Sequence, residues 1–438
     1  MVLGRNSSIR YSLQSRCEQK GCYRFLNNKK VTEQSLITEL INRCKSLSND
    51  RDLIVIQDTS SFNLNNHYYR LKKGSGLGTI EDNFNLGFFL HASLVIDAFS
   101  DTVLGCGDAQ LWHRVYDDPK RASKTRKMPI EQKESYKWIK ACQDIQLKFQ
   151  QARSITFVED RDGDIYEQFA SVVNAKSHLV IRIGKDRKLA DGGKLFSSLG
   201  QQPCCGKYVI DIAAERRKKR SSRKATVEVR YKKVLLKRPA DNYNKTMAAE
   251  VQMNVVEAVE KEYEGKDKIC WRLITSHEVN SFEDALHIIN IYRKRWYIEQ
   301  LFRLLKKQGF AMEETQLETG WAIRKLCVLG LNTVIRVMQL MQATEEEDAS
   351  VVFTNEEQQC LQHLNIKYEG ATDKLKNPHT PKSLLWSKWI IARMGGWKGY
   401  TSQRPPGPIT LKRGLDSFMQ IFIGWHLAKN VYVDVGTQ

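Results

Sequence analysis

The stretch Ile291-Tyr-Arg-Lys-Arg-Trp-Tyr-Ile-Glu-Gln-Leu-Phe-Arg-Leu-Leu-Lys306 decides the reading of this chain. Its apolar spacing predicts one long helix, capped by Ser281, running to Lys307 and stopped by Gly309. Tyr292, Arg295, Glu299 and Lys306 then fall within roughly 60° of one another around the helix axis. One carboxylate flanked by two cations and a phenol suits a metal-dependent enzyme that acts on a polyanion.

The composition agrees with that partner. Among 438 residues, 69 Lys and Arg stand against 50 Asp and Glu, a net charge of +19. Such an excess points to nucleic acid. The 41% of hydrophobic residues is enough for two or three compact units. No apolar run approaches the roughly 20 residues of a membrane span, and no secretory signal opens the sequence, so neither a membrane partner nor export is expected. The ten cysteines lack zinc-ligand spacing and read as reduced thiols.

Upstream of the helix the pattern is mixed. Residues 1–49 read as a helical segment. Short strands are predicted at Leu53–Ile56, Gly87–Ile96 and from Thr102, then a helix over Glu131–Gln151. A strand at Ser154–Val158, a helix to about Ala175 and a strand at His178–Arg182 complete the order β-β-β-α-β-α-β. The fold class expected is α/β, with an RNase H-like catalytic core, a β-rich insertion, a helical N-terminal remnant and a helical C-terminal domain. The boundaries predicted are 1–49 for the N-terminal helices, 50–183 for the first part of the core and 184–277 for the insertion. Residues 278–345 complete the core, and 346–438 form the C-terminal helical dimerisation domain.

Phosphoryl chemistry with two divalent ions needs converging carboxylates, and hard oxygen ligands suit Mg²⁺ and Mn²⁺. Asp58 ends the first strand, Asp160 ends the fourth, and Glu299 projects from the closing helix. Asp162 and Asp164 compete with Asp160 for the role, although their place before a predicted helix suits capping better. Arg216-Arg-Lys-Lys-Arg220, with Arg223 and Lys224, is the densest basic run and reads as a phosphate contact.

The set Tyr292-x2-Arg295-x3-Glu299-x6-Lys306 resembles the YREK signature of bacterial DDE transposases of the insertion-sequence-four family, and within it the Tn-five type. Gln57-Asp58-Thr59-Ser60, Asp160-Arg161-x2-Asp164-Ile165, Trp271, Ile391-Ala-Arg-Met-Gly-Gly396 and Pro406-Gly-Pro408 extend the resemblance along the chain. It implies Mg-dependent cut-and-paste transposition: nicking, hairpin formation and resolution at transposon ends, then strand transfer into target DNA. Asp58, Asp160 and Glu299 would be both catalytic and metal-binding, with two Mg²⁺ ions that Mn²⁺ can replace. Tyr292, Arg295 and Lys306 would hold a phosphate beside a flipped base, Trp271 would stack on that base, and Trp296 and Arg182 would also contact DNA. The implied partners are double-stranded DNA and a second copy of the chain in a synaptic complex, in a bacterial, nucleoid-associated cytoplasmic setting. Only 57 residues precede Asp58, fewer than such transposases usually carry. The alternatives are therefore a shortened, non-catalytic regulator of transposition, or a general RNase H-like nuclease.

Overall fold

A computed structural model describes Ile9 and residues 15–434, apart from 73, 82–83, 116–127, 213, 215–220, 243, 245, 266, 308–309 and 401–402. The expected stop at Gly309 and the basic run Arg216–Arg220 lie outside the described residues.

In chain order the helices are α1 (Arg16–Asn27), α2 (Glu33–Leu47), α3 (Tyr136–Lys148), α4 (Tyr166–Ser171), α5 (Leu195–Gly200), α6 (Phe282–Arg293) and α7 (Trp296–Lys306). The series continues with α8 (Gly320–Met341), α9 (Asn355–Tyr368), α10 (Leu384–Met394) and α11 (Pro408–Asp434). The strands are β1 (Asp52–Asn63), β2 (Gly78–Thr79), β3 (Leu86–Asp97), β4 (Val103–Trp112) and β5 (Ser154–Glu159). They are followed by β6 (Ser177–Arg182), β7 (Gly206–Ile212), β8 (Arg223–Lys237), β9 (Glu250–Glu260) and β10 (Cys270–Thr275).

The chain divides into two compact units. One comprises Met1–Ser48, Thr59–Asp118 and Ile298–Gln438; the other comprises Asn49–Asp58 and Pro119–Tyr297. The boundaries cut β1 after Asp58 and α7 after Tyr297.

In the first unit, β3 pairs antiparallel with β2 and β4. Helix α8 is its long apolar rod, with Ile323, Leu326, Cys327, Leu331 and Met338 all buried. Two cations on α8 fasten the N-terminal helices. Arg324 forms a double hydrogen bond to Glu33 (2.7 Å each), and Lys325 Nζ donates to the carbonyls of Leu26 and Asn28. A buried ammonium keeps its charge at tolerable cost only when such acceptors replace water.

The second unit is built on a mixed sheet in the order β1-β5-β6-β10-β9-β8-β7. Strands β1, β5 and β6 are parallel, and the remaining pairings are antiparallel. Parallel strands covered by helices read as near-continuous apolar runs, as Leu53–Ile56 does and as Ile155–Val158 does but for the buried Thr156. Helix α3 turns Trp138, Ile139, Cys142 and Ile145 inward at helical spacing, each buried. Fully burying a side chain of this kind contributes about 1.5–3 kcal/mol. The strands expected as an insertion join this same sheet, because β10 hydrogen-bonds directly to β6.

Candidate active site

The two aspartates expected as metal ligands lie on neighbouring strands of the second unit. Asp160 follows the last residue of β5, whereas Asp58 does not end its strand as expected but lies within β1, which continues to Asn63. β1 and β5 run parallel in register from Asp52↔Ser154 to Ile56↔Val158. Continued by two residues, that register sets Asp58 opposite Asp160. Because side chains alternate across a strand, both face away from the side that takes Gln57 and Glu159. Adjacent strands lie about 4.8 Å apart, close enough for two carboxylates to share a cation. Asp160 leaves β5 as the cap of a single 3₁₀ turn over Arg161–Gly163, and its Oδ1 accepts the Asp162 amide at 2.9 Å. Asp58 Oδ2 accepts from Arg295 Nη1 at 3.1 Å, with both side chains 20% exposed.

Around the aspartates stand the aromatic and cationic residues expected to handle DNA. Tyr292 is buried near the end of α6, its ring edge-on to Trp271 with centroids 6.3 Å apart. Burial pushes the Tyr292 phenol up, the Arg295 and Arg182 guanidiniums pull it back, Asp160 adds to the rise, and a hydrogen bond to Arg182 lowers it again. The phenol is thus surrounded by Arg295, Arg182 and Asp160. Arg182 Nη2 also donates to the Cys270 carbonyl at 3.3 Å. Trp296 is 54% exposed, accessible to a ligand rather than packed in a core.

The single helix expected from Ser281 to Lys307 is two helices. Ser281 does cap α6, in a reciprocal box with Asp284. The chain then tightens at Lys294-Arg295: Lys294, Arg295 and Tyr297 each donate to the carbonyl three residues back, at 2.9–3.1 Å. Neither glycine nor proline lies there, so the sequence carries no breaker signal. The four signature residues are therefore divided between two helices and the turn that joins them. Tyr292 sits on α6 and Arg295 in the turn. Glu299 and Lys306 sit on α7 within the first unit. Glu299 is half-buried in the first turn of α7. Lys306 Nζ lies 5.2 Å from the Phe62 ring centroid and 3.9 Å from Glu313, and burial lowers its ammonium pKa.

Of the rival acids, Asp164 has a structural role, and neither caps the following helix as expected. Helix α4 starts at Ile165 with no side-chain cap. Asp164 is buried against Arg187, accepting from its Nε at 2.7 Å and from the amides of Gly184 and Lys185. Asp162 is exposed and is itself capped by Asp160. Arg223, assigned from sequence to a phosphate contact, is bound to Glu260 (2.9 and 3.0 Å) and Asp267 (3.1 Å) and lies 3.7 Å over the Tyr263 ring.

Sequence reasoning passed over a buried cluster on the opposite face of the two strand ends. Gln57 Nε2 donates to Cys142 Sγ at 3.1 Å, the Cys142 thiol donates to Glu159 Oε1 at 3.6 Å, and Gln168 Nε2 donates to the same oxygen at 2.5 Å. Burial pushes Glu159 up to about 8, against the lowering effect of Gln168 and Cys142. The available signal was phase: Ile155, Phe157 and Glu159 alternate on one strand face, so an acid continues an inward apolar row.

Among the described residues, no group of three or more His, Cys, Asp or Glu side chains is gathered as a metal cluster. The paired carboxylates of Asp58 and Asp160 nevertheless form a hard-oxygen donor set of the kind Mg²⁺ or Mn²⁺ takes. Arg295 already sets a positive charge against Asp58.

Residues 151–338 match the family model described as a transposase DDE domain, a span that includes Asp160, Trp271 and Glu299 and begins after Asp58. The match supports a transposase of the DDE class, a family that generally uses divalent metal ions. Among solved structures, the chain is similar to one titled "Cryo-EM structure of piggyBac transposase synaptic complex with hairpin DNA (SNHP)". Identity is 8% and the TM-score 0.35, over 76% of this chain and 56% of that one. At that score the two chains need not share a fold. No helix among the described residues is long and apolar enough to cross a membrane.

Proposed function

We propose that this chain is a cut-and-paste DNA transposase with an RNase H-like core, of the YREK-bearing insertion-sequence-four type. The observation that carries the reading is the parallel register of β1 and β5, which continued by two residues sets Asp58 beside Asp160, with Arg295, Arg182, Tyr292 and Trp271 on the same unit. Asp58 and Asp160, joined by Glu299 on sequence pattern, would hold Mg²⁺ or Mn²⁺. Bound there, divalent ions would supply activation of water, and later of a DNA 3′-hydroxyl, for in-line attack on phosphodiesters.

The protein's own groups do the rest. Arg182, Arg295 and Tyr292 bind and orient a strand-end phosphate, with Lys306 a further phosphate ligand by its place in the signature. Trp271 and the exposed Trp296 offer π-faces to an unstacked base. Base–aromatic stacking, worth about 1–3 kcal/mol, offsets the cost of extruding that base when a hairpin forms. Nicking, hairpin formation and opening, and strand transfer can then share one site. The partner is duplex DNA, bound by two copies of the chain. Ile409, Ile423 and Leu427, exposed apolar side chains on α11, are the surface proposed to join them.

The test uses duplexes carrying the DNA that flanks the gene, incubated with Mg²⁺ and resolved on gels. Hairpin and strand-transfer products are expected from the wild-type chain. Asp160→Asn should bind DNA yet cleave about a thousandfold more slowly, equivalent to roughly 4 kcal/mol of barrier. Undiminished cleavage by that variant would overturn the site. Cleavage without end preference would instead favour a nuclease, and end binding without cleavage a regulator.

A further inference from the structure

Gln57, Cys142, Glu159 and Gln168 have no exposed surface, and each is polar or ionisable. Burying such groups is costly unless they are hydrogen-bonded, and apolar residues of the same volume are often neutral or stabilising replacements. Here the satisfaction is incomplete: Glu159 Oε2 and Gln168 Oε1 have no partner among the described residues. A buried cluster held at this cost calls for an explanation other than stability.

Its position supplies one. The paired register of β1 and β5 runs to Ile56↔Val158, one residue short of Gln57 and Glu159 and two short of the aspartates. Beyond that point, Cys142 Sγ touches both strands: it accepts from Gln57, within β1, and donates to Glu159, the last residue of β5. Gln168, on α4, donates to the same Glu159 oxygen, and its Nε2 lies 3.9 Å from Cys142 Sγ. The turn that carries Asp160 also rests on the cluster, since a Cβ at Gly163 would come within 2.0 Å of Glu159 Oε2.

We propose that Gln57, Cys142, Glu159 and Gln168 are positioning residues, a buried tether that fixes Asp58 and Asp160 relative to each other from beneath the sheet. The inference rests on the reading of those aspartates as metal ligands. The tether touches neither metal nor DNA; it acts by holding two carboxylates at a separation that a divalent ion can bridge. Loss of supporting groups around metal ligands typically lowers metal affinity ten- to a hundredfold.

The experiment titrates Mn²⁺ into the DNA-free chain and follows free Mn²⁺ by electron paramagnetic resonance, with thermal unfolding measured in parallel. Gln57→Leu and Glu159→Leu should bind Mn²⁺ about tenfold or more weakly. Gln57→Leu should do so with an unchanged unfolding midpoint, because it replaces a buried amide by an apolar group of similar size. Glu159→Gln keeps the shape and a neutral hydrogen-bonding group and should restore wild-type affinity. If Glu159→Leu does not fold, Gln57→Leu and Glu159→Gln decide. Wild-type affinity in Gln57→Leu, or an affinity in Glu159→Gln as weak as in Gln57→Leu, would overturn the tether. A wild-type chain that takes up no Mn²⁺, or one whose Asp160→Asn variant binds it equally well, would instead sink the metal-site reading, and the tether's role with it.

Discussion

The arginines of the β7–β10 region and those at the β1–β5 strand ends carry the same charge in opposite settings. Across the first region runs a ladder of alternating sign: Lys207 to Glu228 (3.0 Å), Glu228 to Arg230 (3.5 Å), Arg230 to Glu257 (3.3 Å) and Glu257 to Arg272 (2.8 Å). Arg223 is tied to two acids, and Arg187 is buried on Asp164. At the strand ends, Arg182 reaches a phenol and a carbonyl, while Arg295 holds an aspartate expected to exchange its partner for a metal ion. The count of 69 Lys and Arg therefore overstates the cations free to meet a polyanion. Cations of the first kind neutralise the fold's own acids, and those of the second are the ones proposed to bind phosphate.

The largest effect should come from breaking the most buried internal pair. The Arg187 and Asp164 side chains are 7% and 0% exposed. Arg187→Ala leaves a carboxylate in the interior without its counter-charge, and such changes cost about 3–5 kcal/mol. Urea unfolding of the variant against wild type measures it. A loss below about 1 kcal/mol would mean that water reaches Asp164 and that the internal class is less internal than drawn.

A smaller effect separates the two classes directly. Arg295→Ala should weaken DNA binding about tenfold and reduce the slope of log affinity against log salt by about 1, the signature of one lost phosphate contact. Arg230→Ala, in the ladder, should change neither by more than about twofold. The check is fluorescence anisotropy at several salt concentrations. Equal losses from both variants would erase the distinction.

Much of the second unit's framework was legible from residues alone, because β-branched and aromatic runs such as Ser154-Ile-Thr-Phe-Val158 state their own burial. Asp58 and Asp160 were picked from the sequence on the first and fourth predicted strands, and those strands, β1 and β5, pair in the sheet. The break at Lys294-Arg295 did not follow, since a basic Arg-Lys-Arg sequence suits a helix and the turn is made by backbone bonds with no composition cue. Nor did the fate of Arg223 and Asp164, whose partners lie 37 and 23 residues away. Long-range pairing of this kind has no local signal. Glu159 was hidden for a different reason: beside an acid expected to be catalytic, it read as part of the same polar strand end.

The last predicted effect concerns a basic group that avoids charge altogether. His277 stacks on His178 with ring centroids 4.1 Å apart, and its Nε2 lies 2.9 Å from Thr156 Oγ1. Burial, followed by the nearby His178 and His287, pushes it down to about 3 from an ordinary 6.5. The folded chain therefore holds His277 neutral where the unfolded chain would protonate it. Stability from this residue is intact above pH 6.5 and falls progressively as pH drops from there toward 3. At pH 5 the difference reaches at most about 2 kcal/mol. Urea unfolding at pH 7.5 and pH 5 should show a larger acid loss for wild type than for His277→Gln, since carboxylates elsewhere titrate in both. Parallel losses would mean that His277 takes up a proton in the folded state. It would then join the strand-end arginines as a cation in reserve rather than stand apart from both classes.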